Sequence, residues 1–171
     1  MKNKIELIHA NLSPEYRKKW NCHSLDDFGL LYKNGEKVND TLYRIGGMGA
    51  DINANYFCIL KHVEAFYPDS ITKIKKDKPH LESQWVILNN DCEEKVNTGS
   101  FNAPYLIGGC IYTVKSNIYN INTNEMYAYS GKWMRTNDFI FVENPYDENA
   151  SKRGVLKINK EDGSFELFPG K

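Results

Sequence analysis

Four times along this chain a stretch of alternating apolar and polar residues runs into a short Asn-, Asp- or Gly-containing turn and then resumes. "FGLLYKNGEKV" (residues 28–38) turns at Asn34-Gly35, and "WVILNNDCEEKV" (85–96) turns over a longer polar run. "IYNINTNEMYAY" (118–129) turns at Asn122-Thr123-Asn124, and "GVLKINKEDGSFELF" (154–168) at Asp162-Gly163. A period of two sends successive side chains to opposite faces of an extended strand. Asn-Gly accepts positive φ at both turn positions, which makes it the strongest short-range hairpin signal. A chain that writes this pattern four times is constrained to antiparallel β-structure.

Further strands are expected between the hairpins. "TLYRIGG" and "PYLIGG" each end on a glycine pair, and "NYFCILKHVEAFYP" (55–68) resembles "NDFIFVENPYD" (137–147). "YRIGG" returns as "YLIGG" about sixty residues later, and each copy lies downstream of a "KVN". The reading is a repeated unit of hairpin and strand, with the glycine pairs placed where the backbone turns sharply or another backbone comes close. The basic stretch at residues 70–82, "SITKIKKDKPHLE", interrupts the pattern and is expected to be a long exposed loop.

The first 27 residues differ from the rest. Ser13-Pro14-Glu15 is a helix start, because Ser caps free N–H groups and Pro is tolerated in the first turn. Residues 1–27 therefore read as a strand or coil followed by a short helix with Tyr16 and Trp20 on its apolar side. Residues 28–171 read as the β-repeat domain.

Composition narrows the function classes. With 22 basic and 22 acidic residues the formal charge is zero, so no global field draws the chain to nucleic acid or an anionic membrane. No apolar run approaches the ~20 residues of a membrane span. The N-terminal apolar stretch carries Glu6 and His9, with no small-residue cleavage site after it, so a signal peptide is not expected. The expected location is cytoplasmic, or a virion if the chain is phage-encoded. Heavy use of Asn, Lys, Ile and Tyr suits an A/T-rich bacterial or phage genome. Cys22, Cys58, Cys92 and Cys110 lie far apart without a Cys-x-x-Cys and read as free thiols.

Gly46-Gly47-Met48-Gly49 lacks the Lys-Ser/Thr of a phosphate loop and reads as a strand-end turn. Cys22-His23 with Cys58 and His62 lacks finger spacing, so no metal is expected. A Cys–His nucleophile pair would need Cys58, Cys92 or Cys110 beside His9, His23, His62 or His80, and no thiol has a nucleophile context. Cys92 reads as exposed in its turn and Cys110 as core. The carboxylate pairs Asp26-Asp27, Glu93-Glu94 and Glu161-Asp162 point to opposite strand faces and read as solvated turns. The stretches 147–149 and 159–163 lack the ligand ladder of a calcium loop. "KIKKDKP" (73–79) has no interleaved aromatics and reads as a solvated loop. Tyr127, Tyr129 and Trp133, around "YAYSGKW", are the candidate partner-binding residues. No catalytic, cofactor-binding or metal residue is assigned.

The hairpins resemble WG-type repeats, whose signature is an aromatic-Gly, an apolar pair, a polar Gly turn and a Lys/Glu-Val strand. Residues 28–38 follow it closely; 85–88 carry Val where Gly is usual, and 153–156 lack the aromatic. "YLIGG" followed by "SNIYNINTNEMYAY" is similar to a kelch blade. Both resemblances imply hairpin or blade arrays that mostly bind other proteins. Kelch units run to about fifty residues and propellers to four or more blades, and about three units fit here. The expected fold is mainly β: repeated antiparallel hairpins forming a twisted sheet, sandwich or partial propeller, with a short N-terminal helix. The expected function is a non-enzymatic protein-interaction or structural module of a larger bacterial or phage assembly. Its partner would be another protein or a second copy of itself, met through sheet edges. The alternatives are a small inhibitor or immunity protein that binds a toxin or defence enzyme, and a Cys/His-dependent hydrolase.

Overall fold

The structure is a computed structural model that describes residues 3–20, 28–50, 55–66, 79–99, 102–108, 110–129, 132–143, 145–146 and 154–169. The chain is mainly β, with three antiparallel sheets and one short helix. In order the elements are β1 (Ile5–His9), α1 (Pro14–Trp20), β2 (Phe28–Lys33), β3 (Glu36–Lys37), β4 (Tyr43–Ala50) and β5 (Tyr56–Phe66). Then follow β6 (Pro79–Asn89), β7 (Glu94–Gly99), β8 (Tyr105–Gly108), β9 (Ile111–Val114), β10 (Asn117–Asn120) and β11 (Met126–Tyr129). The last five are β12 (Trp133–Arg135), β13 (Phe139–Glu143), β14 (Pro145–Tyr146), β15 (Gly154–Asn159) and β16 (Phe165–Pro169). The chain divides into two compact units, Met1–Met48 with Ile59–Phe101 and Gly49–Cys58 with Asn102–Lys171.

The first unit is built on a seven-stranded sheet in the order β1-β2-β4-β5-β6-β7, with β3 paired to β2. The β2–β3 hairpin closes at Asn34 (φ 54°) and Gly35 (φ 85°), the doubly positive turn that Asn-Gly favours. Ser13 caps α1 as expected, its Oγ accepting the Tyr16 N–H at 3.1 Å. The strand ahead of it, β1, pairs with β2 over five rungs, from Ile5↔Lys33 to His9↔Gly29. The glycine of the aromatic-Gly motif has its reason here. A Cβ on Gly29 would lie 2.9 Å from Leu7 Cγ and 3.0 Å from the Ile8 carbonyl, so β1 comes close because Gly29 has no side chain. Asn3 then ties two hairpin turns together. Its Nδ2 donates to the Asn90 carbonyl at 2.9 Å and to Asp91 Oδ1 at 3.0 Å, and its Oδ1 accepts from Asn34 Nδ2 at 3.0 Å.

Three sequence expectations change in this unit. The "YRIGG" strand does not stop at its glycines, since β4 continues to Ala50, and Gly46-Gly47 is extended strand rather than a turn. The exposed-loop reading of residues 70–82 fails at its C-terminal end, because β6 opens at Pro79, a first-residue position that needs no ladder N–H from proline. Residues 70–78 of that stretch lie outside the described residues. Cys92 is buried in its turn, not exposed, and it sits at φ 64°.

The reason for Cys92 is a turn device used three times. At the last residue of β6, β10 and β15 stands an asparagine whose Oδ1 accepts N–H groups from the turn that follows. Asn89 takes Asp91 and Glu93, both at 2.9 Å. Asn120 takes Asn122 at 2.8 Å and Thr123 at 3.1 Å, and Asn159 takes Glu161 at 2.8 Å and Asp162 at 3.3 Å. Such side-chain caps satisfy turn donors that no strand reaches. Each turn then closes through a left-handed residue: Cys92 (φ 64°), Asn124 (φ 62°) or Gly163 (φ 74°). The left-handed residue stands three positions after the asparagine in the first case and four in the others, and at Cys92 the fold draws the thiol inward. The repeated "KVN" shares a smaller version, with Asn39 Oδ1 accepting Thr41 N–H at 3.0 Å and Asn97 Oδ1 accepting Gly99 N–H at 2.9 Å. The two "Y-x-IGG" phrases are not equivalent, however: Tyr43 is buried, and Tyr105 is 58% exposed.

The second unit stacks two sheets, ordered β14-β11-β10-β9-β8 and β12-β13-β15-β16. Its core takes Ile107, Cys110, Ile111 and Ile118 from the first of these, and Ile140, Val142, Leu156 and Ile158 from the second. Each buried aliphatic side chain contributes about 1.5–3 kcal/mol. The ring contacts reveal how the sheets cross. Tyr127 meets Phe165 of β16 at 5.9 Å, and Tyr129, two residues along β11, meets Trp133 of β12 at 5.3 Å. β12 and β16 are opposite edges of their sheet, so one short strand spans it from edge to edge. The rings of β11 thus reach both edges of the facing sheet, as strands of crossing sheets do. Asn120 Nδ2 donates to the Gly163 carbonyl and locks the two sheets at one corner.

Candidate functional site

The crossing of the sheets leaves a margin of the core covered by side chains from three strands. Trp133 and Arg135 alternate with Met134 along β12. Their cross-strand partners Val142 and Ile140 are core residues, so both point to the inner face. Trp133 packs edge-on against Tyr129, with rings 5.3 Å apart and inclined at 62°. Arg135 places its guanidinium 5.6 Å from the Trp133 ring and 6.0 Å from the Tyr105 ring. Tyr105 opens β8, the far edge of the other sheet. The result is a ladder, Tyr129–Trp133–Arg135–Tyr105, whose inner end rests on the core and whose outer end is exposed.

The ladder has a definite chemistry. The aromatic pair stabilises by about 0.5–1.5 kcal/mol beyond its buried area, and a cation over a ring at an exposed site adds about 0.5–1 kcal/mol. Arg135 is held by ring faces, and a planar guanidinium so held keeps in-plane N–H donors for a carboxylate or carbonyl. Exposed aromatics with an arginine among them are the composition of a binding hot spot.

Two of the three residues chosen from sequence, Tyr129 and Trp133, come together in this ladder. Tyr127 does not join them; it shares their inward face, but its ring goes to Phe165 at the opposite edge. Arg135 and Tyr105 were missed. Arg135 carried a signal, since it stands two residues after Trp133 and on a strand must share its face. Tyr105 carried none, because only the sheet crossing brings it there.

The thiols, His62 and the turn carboxylates are engaged in local structure. Burial pushes the Cys92 thiol up, against a smaller pull down from Lys33, so it holds less thiolate than a free cysteine. Cys110 is buried and its Sγ donates to Asn120 Oδ1 at 3.4 Å. His62 lies edge-on to Phe28 at 4.4 Å, with Nε2 3.4 Å from Ser83 Oγ. The oxygens considered for calcium accept backbone N–H groups instead: Asn159 as above, and Asp162 from Ser164 at 2.8 Å, which holds the Asp162 carboxyl below its ordinary value. Glu93 accepts from Asn89 Nδ2 at 3.1 Å, while Glu94 pairs with Lys61 at 2.8 Å. Among the described residues, no three His, Cys, Asp or Glu side chains gather to hold a metal ion. No helix there is long and apolar enough to cross a membrane. Cys22, His23, Asp26, Asp27, Lys73–Lys78 and residues 147–149 lie outside the described residues. In comparisons with known proteins, no family model, no curated protein and no solved structure matches this chain.

Proposed function

We propose that this protein is a non-enzymatic docking module that binds a protein partner, as a component of a larger assembly, through the ladder at the margin of its second unit. The observation that carries the reading is Arg135 set between the Trp133 and Tyr105 rings on a half-open surface. A rigid aromatic and guanidinium surface loses little side-chain entropy on binding, which is where tight protein contacts concentrate. The partner segment would present an apolar or aromatic side chain to the rings and a carboxylate or backbone carbonyl to Arg135.

The test is affinity capture from the cell that makes the protein, comparing wild type with the double variant Tyr105→Ser/Arg135→Ser. Both residues are outside the buried core, so the variant folds, which its circular dichroism checks. The reading expects one protein retained in fixed stoichiometry by wild type and lost by the variant. Equal retention by both, or no protein retained by wild type, overturns it.

A further inference from the structure

The strand at the centre of the ladder is also the end of its sheet. β12 pairs with β13, and among the described residues no strand lies on its other side. Along an antiparallel pair one residue turns its N–H and C=O to the neighbouring strand and the next turns them away. The Glu143 N–H donates to the Lys132 carbonyl at 3.0 Å, and the Thr136 N–H to the Phe139 carbonyl at 2.8 Å. Residues 132, 134 and 136 therefore face β13, and the backbone groups of Trp133 and Arg135 point off the sheet. Residues 134–138 are all exposed. The opposite edge of the sheet is blunted. The Asn159 N–H donates to the Ser164 carbonyl at 3.0 Å, which sets Ser164, Glu166 and Phe168 toward β15. Phe165, Leu167 and Pro169 are left to face outward, and proline has no N–H to offer.

Trp133 and Arg135 thus join outward-pointing backbone groups to a ring and a guanidinium on the inner face. An inward-facing charge on an edge strand ordinarily keeps other strands away, because pairing would bury it beside neutral groups. Among the described residues Arg135 has ring contacts and no carboxylate partner. Its charge therefore selects. A strand that sets a carboxylate opposite Arg135 is favoured, and one that sets a lysine or arginine there is repelled. We propose that β12 takes an extended acidic segment of the partner as an added antiparallel strand. In it an Asp or Glu stands opposite Arg135, and the residue two places further on sets an apolar side chain opposite Trp133. Both positions exchange both of their N–H···O bonds with β12, so the backbone supplies affinity and the two side chains supply the choice of sequence. The proposal rests on the docking reading above and narrows it, since a folded surface can cover the ladder without pairing with β12.

Selection from a library of random linear peptides displayed on phage tests it. Wild type is expected to enrich peptides with an acidic residue two places before an apolar one. Arg135→Glu should enrich peptides with Lys or Arg in the acidic place. The best wild-type peptide is then synthesised with one backbone N-methyl group at a time. A methyl on the acidic or the apolar residue removes an N–H···O bond and should raise the dissociation constant about tenfold or more. A methyl on the residue between them, whose N–H points away from β12, should change it less than about twofold. Amide exchange at Trp133 and Arg135 should be fast in the protein alone and slowed by the peptide. Failure of wild type to enrich the acidic motif overturns the proposal, and so does a methyl scan without this alternation. Trp133 and Arg135 amides already slow in the protein alone, as when a second copy pairs with β12, also overturn it. The docking reading fails separately: peptides lost by Tyr105→Ser/Arg135→Ser that tolerate every methyl group leave it standing and remove only the added strand.

Discussion

Gly163 shows how one atom is excluded by the rest of a fold. A Cβ there would lie 2.2 Å from Cys110 Sγ and 2.9 Å from Asn120 Nδ2, and its φ of 74° strains any L side chain. Gly35 has a similar φ, 85°, but open space around it. Gly35→Ala should therefore cost only the left-handed strain, about 1 kcal/mol, whereas Gly163→Ala adds a core clash and should cost about 3 kcal/mol. Urea unfolding of the two variants measures the difference directly, and equal losses would contradict the packing around Asn120. A second residue prediction concerns alkali. Burial, aided by its stacked neighbour Tyr119 at 4.9 Å, pushes the Tyr112 hydroxyl up to about 12 from an ordinary 10.0. The folded state therefore favours the neutral phenol. Its stabilisation is complete below about pH 10 and is lost as pH rises toward 12. Unfolding free energies measured from pH 9 to pH 12 should fall, and the fall should be shallower in Tyr112→Phe.

Among the elements, β12 is the most dependent on side chains. It has three residues, one paired neighbour and a single aromatic anchor, Trp133. Trp133→Ala should cost about 2 kcal/mol, less than for a fully buried Trp, and should release β12 before the rest of its sheet. Hydrogen exchange should then accelerate at Trp133–Arg135 while Phe139–Glu143 stays protected; uniform acceleration would mean that the strand is not anchored this way. The elements were also what the sequence displayed best. All four hairpins were legible from period-two alternation and turn residues, because both signals are local. The first glycine pair misled, because a glycine in a strand and a glycine in a turn look alike without neighbours. Cys92 misled because its burial depends on the Asn89 cap, a side-chain device that polarity alone does not announce. Asn at the end of a strand, three times over, was the unread signal.

For the whole molecule, the sequence predicted a sheet, sandwich or partial propeller without choosing among them. The choice rests on how strands from different sheets cross, and no local pattern encodes that angle. The candidate site was half legible for the same reason. Tyr129 and Trp133 are near in sequence, while Tyr105 reaches Arg135 only through the crossing. The central claim is that β11 spans the β12-β13-β15-β16 sheet from edge to edge and so assembles the ladder at one margin. Nuclear Overhauser contacts among the aromatic rings of the folded protein test it most directly. The account predicts Tyr127 to Phe165, Tyr129 to Trp133, and Arg135 side-chain protons to both Trp133 and Tyr105, all in one folded state. Contacts from Tyr127 and Tyr129 to the same edge strand, with none between Arg135 and Tyr105, would mean that the sheets run aligned and that the ladder does not exist.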